Sequence, residues 1–385
     1  MHADINEIRG FVQNGQIISA RNKLIDLVFD SDNNELAIKV NAWCRSLYEN
    51  KNEWSANIES GLHSLLDNWK VEDDSLSVYD AEKPVVTLSN ISKTYSSGNF
   101  KISDVNISLR QGEIIGIVGE NGNGKTTVLN IAAQNISKDS GNLLYHFLPA
   151  GNHDRYFIRQ HIGFIPQRID KWFGSLKESL HFAASCYGIY GDENEIRVEQ
   201  ILHRLDLWKF NKYKWKEISS GYKTRFEIAR ILLGKPKLLI LDEPLANLDI
   251  NTQQSLLNDL RNIAKSKRHP MAILMSSQQL HEIEKASDNI IFLKEGHCIF
   301  QSVTDKATLE GTLVELDVHP GDVSKLNLLN DAGFKFSFTG SFYLLENEVK
   351  EKADVVLKTL LNNGVRILYF RDISHSAKRF FNKRK

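Results

Sequence analysis

The twelve residues from Gly116 to Thr127, "GIVGENGNGKTT", constrain this chain more than any other stretch. From Gly119 to Thr126 they match G-x-x-x-x-G-K-[ST], with Asn121 and Asn123 between the glycines. Gly119, Gly122 and Gly124 let successive backbone N–H groups curl around phosphate oxygens without side-chain clashes. A strand, "EIIGIV", is predicted before the loop. The helix after it, "TTVLNIAAQ", includes Thr127 and turns its positive dipole end toward the same anion. Lys125 can reach the outer phosphates, and the Thr126 hydroxyl can ligate magnesium. A glycine-rich turn could match by chance, but the flanking strand and helix argue against that. By itself the loop implies a bound nucleoside triphosphate and an α/β sheet to carry it.

A second motif supplies carboxylates. In "KLLILDEPLANLD", Lys237 to Asp249, an apolar run ends in Asp242 and Glu243. A lone acidic pair at a strand end is usually solvated surface. Downstream of a phosphate loop, Asp242 suits the metal and Glu243 suits orientation or deprotonation of an attacking water. The runs "EIIGIVG", "HIGFIPQ", "KLLILDEP" and "MAILMSS" are apolar without alternation. That pattern fits strands buried on both faces of an α/β sheet.

Two further stretches carry small polar residues. Ser219, Ser220 and Gly221 precede the amphipathic helix "YKTRFEIARILL". They are either an ordinary helix cap or a second anion site at a helix N-terminus. In "AILMSSQQLHEIEK", Ala272 to Lys285, an apolar run ends in Ser276, Ser277, Gln278 and Gln279. Small polar groups at the end of a buried strand often face a ligand. Gln278 can donate a hydrogen bond but carries no charge; alternatively it caps the following helix.

Taken together, these stretches resemble the nucleotide-binding subunit of an ATP-binding cassette (ABC) transporter. The resemblance covers about Val85 to Thr304 and rests on six motifs in family order. Tyr95 stands where the family stacks an aromatic on adenine. "GENGNGKTT" is the Walker A loop, and Gln167 in "IGFIPQ" falls at the Q-loop, which touches magnesium. "ISSGYKTR" resembles the signature sequence, with Ser219 and Gly221 kept and Ser220 and Tyr222 departing from Leu-Ser-Gly-Gly-Gln. "LLILDEP" is Walker B, and "LANLD" with Asp249 is the D-loop. Gln278 occupies the place of the family's switch histidine. The resemblance implies ATP sandwiched between Walker A of one subunit and the signature of a second, most simply in a homodimer. It also implies Mg2+ at Thr126, Gln167 and Asp242, with catalysis by Glu243, Gln278 and Lys125.

The ends differ from the middle. About Asp4 to Lys70 reads as short helices, separated by Asn14-Gly15 and "DSDNN". Residues 71–84 are polar and acidic, as a linker would be. From Gly311 to the end, strands and helices alternate as βαββαβ plus a final helix in "SHSAKRFF", which suggests a small ferredoxin-like layer. This order is similar to the accessory region of exporter ATPases, and the helical start is similar to small adaptor domains that pair with a protein partner. The expected organisation is a helical domain (1–70), a linker (71–84), an ABC ATPase domain (85–304) and an accessory α/β domain (311–385).

Composition narrows the function. The chain has 385 residues, with 48 basic and 48 acidic side chains, so no global field favours nucleic acid. Three scattered cysteines form no CxxC pair and fit a reducing cytosol. No apolar run approaches the ~18 residues of a membrane span, and "MHADINEIRG" is no signal peptide. Work at a membrane therefore needs a separate membrane-spanning permease, with this chain peripheral on the cytoplasmic face of the inner membrane. His146, His153, Asp154 and His161 fit no metal-ligand spacing and read as surface positions. Trp43, Trp54 and Trp69 read as core or interface, and the basic "AKRFFNKRK" as a solvated helix.

The expected function is an ATP-hydrolysing subunit that drives an exporter. One alternative is an ATP-binding regulatory switch with weak hydrolysis, because position 278 is glutamine. The other is a soluble ABC protein outside transport. Translation factors of that kind carry two cassettes. Repair clamps insert a long coiled coil, whereas here about ninety residues without heptads separate Walker A from the signature.

Overall fold

The structure, a computed structural model, describes residues 2–31, 33–50, 55–67, 79–95, 100–149, 154–246, 248–266, 269–301, 311–329, 333–340, 342–347 and 353–374. The chain opens with α1 (His2–Gln13), α2 (Ile17–Ser31), α3 (Asn34–Glu49) and α4 (Ala56–Asp67). Gly15 makes the first corner in the left-handed region, φ +69°. Ile8, Leu24, Ile25, Leu47 and Leu62 are fully buried between these helices. Trp43 is core: its indole N–H donates to the Ile58 carbonyl at 2.9 Å and ties α3 to α4. Trp54 and Trp69 lie outside the described residues.

Next come β1 (Pro84–Thr94), β2 (Lys101–Arg110), β3 (Ile114–Val118), α5 (Lys125–Ala132), β4 (Ser140–Tyr145), α6 (Arg155–Gln160) and β5 (Ile162–Ile165). They are followed by α7 (Leu176–Cys186), α8 (Gly191–Arg204), α9 (Ser220–Leu232), β6 (Leu238–Leu241), α10 (Ile250–Ala264), β7 (Ala272–Ser277), α11 (Leu280–Ala286), β8 (Asn289–Lys294) and β9 (His297–Gln301). Among the described residues these strands form one sheet, ordered β4-β1-β2-β9-β8-β3-β7-β6-β5. The β8-β3-β7-β6-β5 half is parallel. β3, β6 and β7 are buried at every residue, because helices cover both faces. One core forms on the α7–α11 face, and a second joins α5 to β1, β2 and β4. The carboxyl ends of the parallel strands are where such a sheet presents its loops to a ligand.

Three of the four residues weighed for metal have other work. His146 shares a hydrogen bond with Thr87 Oγ1 at 2.9 Å, Asp154 caps α6, and His161 Nδ1 lies 2.8 Å from the Phe157 carbonyl. His153 lies outside the described residues.

The last unit holds β10 (Thr312–Val318), β11 (Lys335–Phe338), β12 (Tyr343–Asn347), a helix Ala353–Asn362 and β13 (Ile367–Asp372). Its sheet runs β11-β12-β10-β13 with every pair antiparallel, as the ferredoxin-like order requires. One element differs from expectation. Where a first helix is predicted from Asp322 to Gly333, residues Pro320–Leu329 form a 3-10 run, and 330–332 lie outside the described residues. Val323, Leu326 and Leu329 recur every third residue and so share one edge of a three-fold helix, with Leu326 and Leu329 buried. The final helix expected in "SHSAKRFF" lies, from residue 375 on, outside the described residues, as do linker residues 71–78.

Candidate functional site

The loop between β3 and α5 is shaped by packing as much as by conformation. A Cβ on Gly119 would fall 2.4 Å from the Leu293 carbonyl oxygen, so the loop passes too close to β8 for a side chain. Gly124 stands before α5 at φ +98°, a conformation that other residues adopt at a cost. Asn123 Oδ1 accepts from the Glu295 N–H at 3.1 Å, which anchors the loop to the turn after β8. Asn121 and Gly122 are exposed at the tip. Tyr95, just past β1 and 36% exposed, places its hydroxyl 3.3 Å from Thr127 Oγ1 at the rim of the loop.

Lys125 is buried as the first residue of α5. Its Nζ donates to the carbonyls of Gly119 at 2.7 Å and Glu120 at 3.2 Å, and lies 3.3 Å from Glu243 Oε1. The Thr126 hydroxyl donates to Asp242 Oδ2 at 2.9 Å. Asp242, at the end of β6, is 3% exposed. Its other oxygen accepts from Ser276 Oγ at 2.7 Å, and that same Oγ accepts from the Glu243 N–H at 2.9 Å. Glu243 has φ +52°, a strained state for a residue with a side chain. The strain turns its carboxylate toward Lys125 and the Gln278 N–H, which donates to Oε2 at 3.2 Å.

Ser276 and Ser277 therefore face inward to protein partners. Ser277 Oγ donates to Glu282 Oε2 at 2.9 Å, and Gln253 Nε2 donates to Glu282 Oε1 at 2.8 Å. The sequence drew attention to the serines for a ligand; their partners Glu282 and Gln253 gave no signal, because each lies in an ordinary amphipathic helix. Gln278 is exposed and does not cap α11, whose N-cap is Gln279.

Thr126 Oγ1 and the Asp242 carboxylate are hard oxygen donors within 2.9 Å of each other, a set that suits Mg2+. Gln167 follows β5 by two residues and is exposed.

Ser219 stands before α9, and Gly221 opens that helix against α10. A Cβ on Gly221 would meet Thr252 Cγ2 at 2.5 Å. Asp249 caps α10, accepting from the Thr252 N–H at 3.0 Å and hydroxyl at 2.5 Å. These bonds hold the Asp249 carboxyl below the ordinary range. Among the described residues, Ser219 and Gly221 share no hydrogen bond with residues 119–127.

The family described as ABC transporter matches residues 102–246. The phosphonates import ATP-binding protein PhnC of Treponema denticola is 30% identical over 233 residues, which are 57% of this chain and 90% of that protein. This chain belongs to the ABC transporter ATP-binding family. The linearmycin resistance ATP-binding protein LnrL of Bacillus subtilis is 29% identical over 60% of this chain and 73% of its own length. Among solved structures, cbiO1 of Clostridium perfringens, part of the ABC transporter complex cbiONQ, aligns with TM-score 0.52 and 25% identity. That alignment covers 64% of this chain and 96% of cbiO1.

The chain is thus the ATP-binding, ATP-hydrolysing subunit of an ABC transporter, with an extra helical bundle before the cassette and an extra sheet after it. No helix among the described residues is long and apolar enough to cross a membrane.

Proposed function

We propose that two copies of this chain close on ATP and Mg2+ beneath a separate permease, and that hydrolysis reopens them. The observation that carries this reading is the placement of Asp242 and Glu243, both fastened to Ser276, against Thr126 and Lys125. Thr126 and Asp242 would hold Mg2+, which neutralises developing phosphate charge when bound. Lys125 would leave Glu243 for the outer phosphates, freeing that carboxylate to orient water. Ser219 and Gly221 of the second copy would complete the phosphate pocket, with Tyr95 against the base and Asp249 at the seam. Gln167 would reach the metal as the pocket closes. Gln278 would steady Glu243 through its backbone N–H.

The permease would dock beside the segment after Gln167, where Phe173 is 91% and Phe182 64% exposed. Such apolar exposure fits a protein interface. We read the direction as export, on the order of the C-terminal unit; residues 1–70, 85–304 and 311–385 act as three domains. The relatives named for phosphonate import and linearmycin resistance share cassette-sized alignments. The location on the cytoplasmic face follows from the permease.

The experiment is ATP-driven pairing of Glu243→Gln in magnesium, read by light scattering, alone and with the permease. A protein that stays single in both settings refutes the proposal. Direction is read by transport into inverted vesicles that hold the permease encoded beside this chain.

A further inference from the structure

Among the described residues, the N-terminal bundle is fastened to α8 and the turn after it, in the helical unit that carries the signature helix α9. Phe29 of α2 is 4% exposed and packs in the cassette core, while Ile196 of α8 packs against the bundle core. Polar contacts surround this exchange. Arg45 pairs with Glu199 at 2.5 Å, Asp26 with Arg204 at 2.7 Å, and Arg21 with Asp206 at 3.5 Å. Tyr48 donates to Asp206 at 2.8 Å, and Asn41 donates to the Ile196 carbonyl at 3.3 Å. The Arg204 guanidinium lies over the Phe29 ring, 4.6 Å from its centroid.

The same residues reach α10. Asn22, Asp26, Arg204, Asp259 and Asn262 line one small cleft where α2, α8 and α10 meet. Beside it, Arg225 of the signature helix reaches Asp259 at 3.0 Å and Ser255 at 2.6 Å on α10. Arg225 follows Gly221 by four residues, so both lie on the α9 face that meets α10. The bundle therefore spans the helical unit that carries the signature and the core helix that follows the D-loop.

Partly buried charges at such a seam add little net stability after desolvation; their best-attested use is to fix register. Register matters here, because an anion site supplied by one copy has to meet a phosphate held by another to within about an ångström. We propose that the N-terminal bundle is a positioning element for ATP-driven pairing: through Asp26, Arg45 and Tyr48 it holds α8, and with it the signature helix, at the angle that pairing requires. This rests on the sandwich described under Proposed function.

The test uses the full chain in the Glu243→Gln background, with pairing followed by light scattering across an ATP titration in magnesium. Arg45→Glu, and separately Asp26→Ala with Tyr48→Phe, are expected to raise the ATP midpoint of pairing by about tenfold or more. A fluorescent ATP analogue should bind the single chain within about twofold of its parent, because these residues lie away from the phosphate loop. Adding Glu199→Arg to Arg45→Glu should restore the parent midpoint, a rescue that mere damage to folding would not show. Pairing midpoints within about twofold of the parent in both variants would overturn the positioning role. A parent that never pairs at saturating ATP overturns the sandwich reading instead.

Discussion

Lys125 and Glu243 meet at 3.3 Å, Nζ to Oε1, with both side chains less than a tenth exposed. The same lysine is the loop's cation for phosphate, so ATP binding and this ion pair compete for one ammonium. Glu243→Gln should therefore leave ATP affinity within about threefold, since the lost pair is offset by a lysine free for phosphate. Turnover should fall about a hundredfold or more, because the amide cannot take a proton from water. Equilibrium binding and phosphate release, measured on one preparation, check both halves.

Gln278 touches Glu243 through its backbone N–H at 3.2 Å. A side-chain change should then matter modestly. Gln278→Ala and Gln278→His should each alter single-turnover hydrolysis by less than about tenfold. A hundredfold rise in the histidine variant would make the native protein a switch with weak hydrolysis.

Ser276 is fully buried and bonds both to Asp242 and to the Glu243 N–H. Ser276→Ala leaves two buried partners short of a bond, at roughly 1–3 kcal/mol each. Expected outcomes are a lower melting point and at least about tenfold slower turnover, with nucleotide binding kept. Ser277→Ala, which frees Glu282 and the Gln279 N–H but touches neither Asp242 nor Glu243, should cost less turnover.

The contrast between these serines shows what the sequence could convey. Gly119, Lys125, Asp242 and Glu243 were legible because phosphate chemistry demands those types at fixed spacing on a strand-loop-helix. The buried parallel strands were legible from their unbroken apolar runs. Ser276 looked like a ligand group, since nothing local says that its partner is Asp242, thirty-four residues away. At Pro320–Leu329 the sequence predicts a helix without separating 3-10 from α, because apolar spacings of three and four overlap in so short a segment. Docking of the bundle on α8 joins residues over 150 apart, such as Arg45 and Glu199, and leaves no periodic trace.

Gly221 is pressed against Thr252, with 2.5 Å between a hypothetical Cβ and Cγ2. Gly221→Ala should force α9 away from α10 and cost about 1–3 kcal/mol. Thr252→Ser removes the obstructing methyl while keeping a hydroxyl for Asp249. The double variant should recover most of the lost stability and ATP-driven pairing. Failure of that rescue would place the need for glycine at the phosphate rather than at this contact.

Asp259 gives a pH dependence. Burial pushes its carboxyl up to about 6; Arg225 and Arg204 oppose the rise, while Asp26 and Asp206 add to it. A native pKa above the unfolded value of 3.8 means that the folded protein holds this proton more tightly. The resulting stabilisation is complete below about pH 4 and is lost as pH climbs through about 6, roughly 3 kcal/mol in all. Asp259→Asn imitates the protonated form at every pH. The variant should unfold at a higher temperature than the parent at pH 7.5, and the two should converge near pH 4.5. Should the asparagine variant instead be the weaker protein at pH 7.5, the attraction of Arg225 at 3.0 Å outweighs the cost of burying the charge, and the assigned direction is wrong.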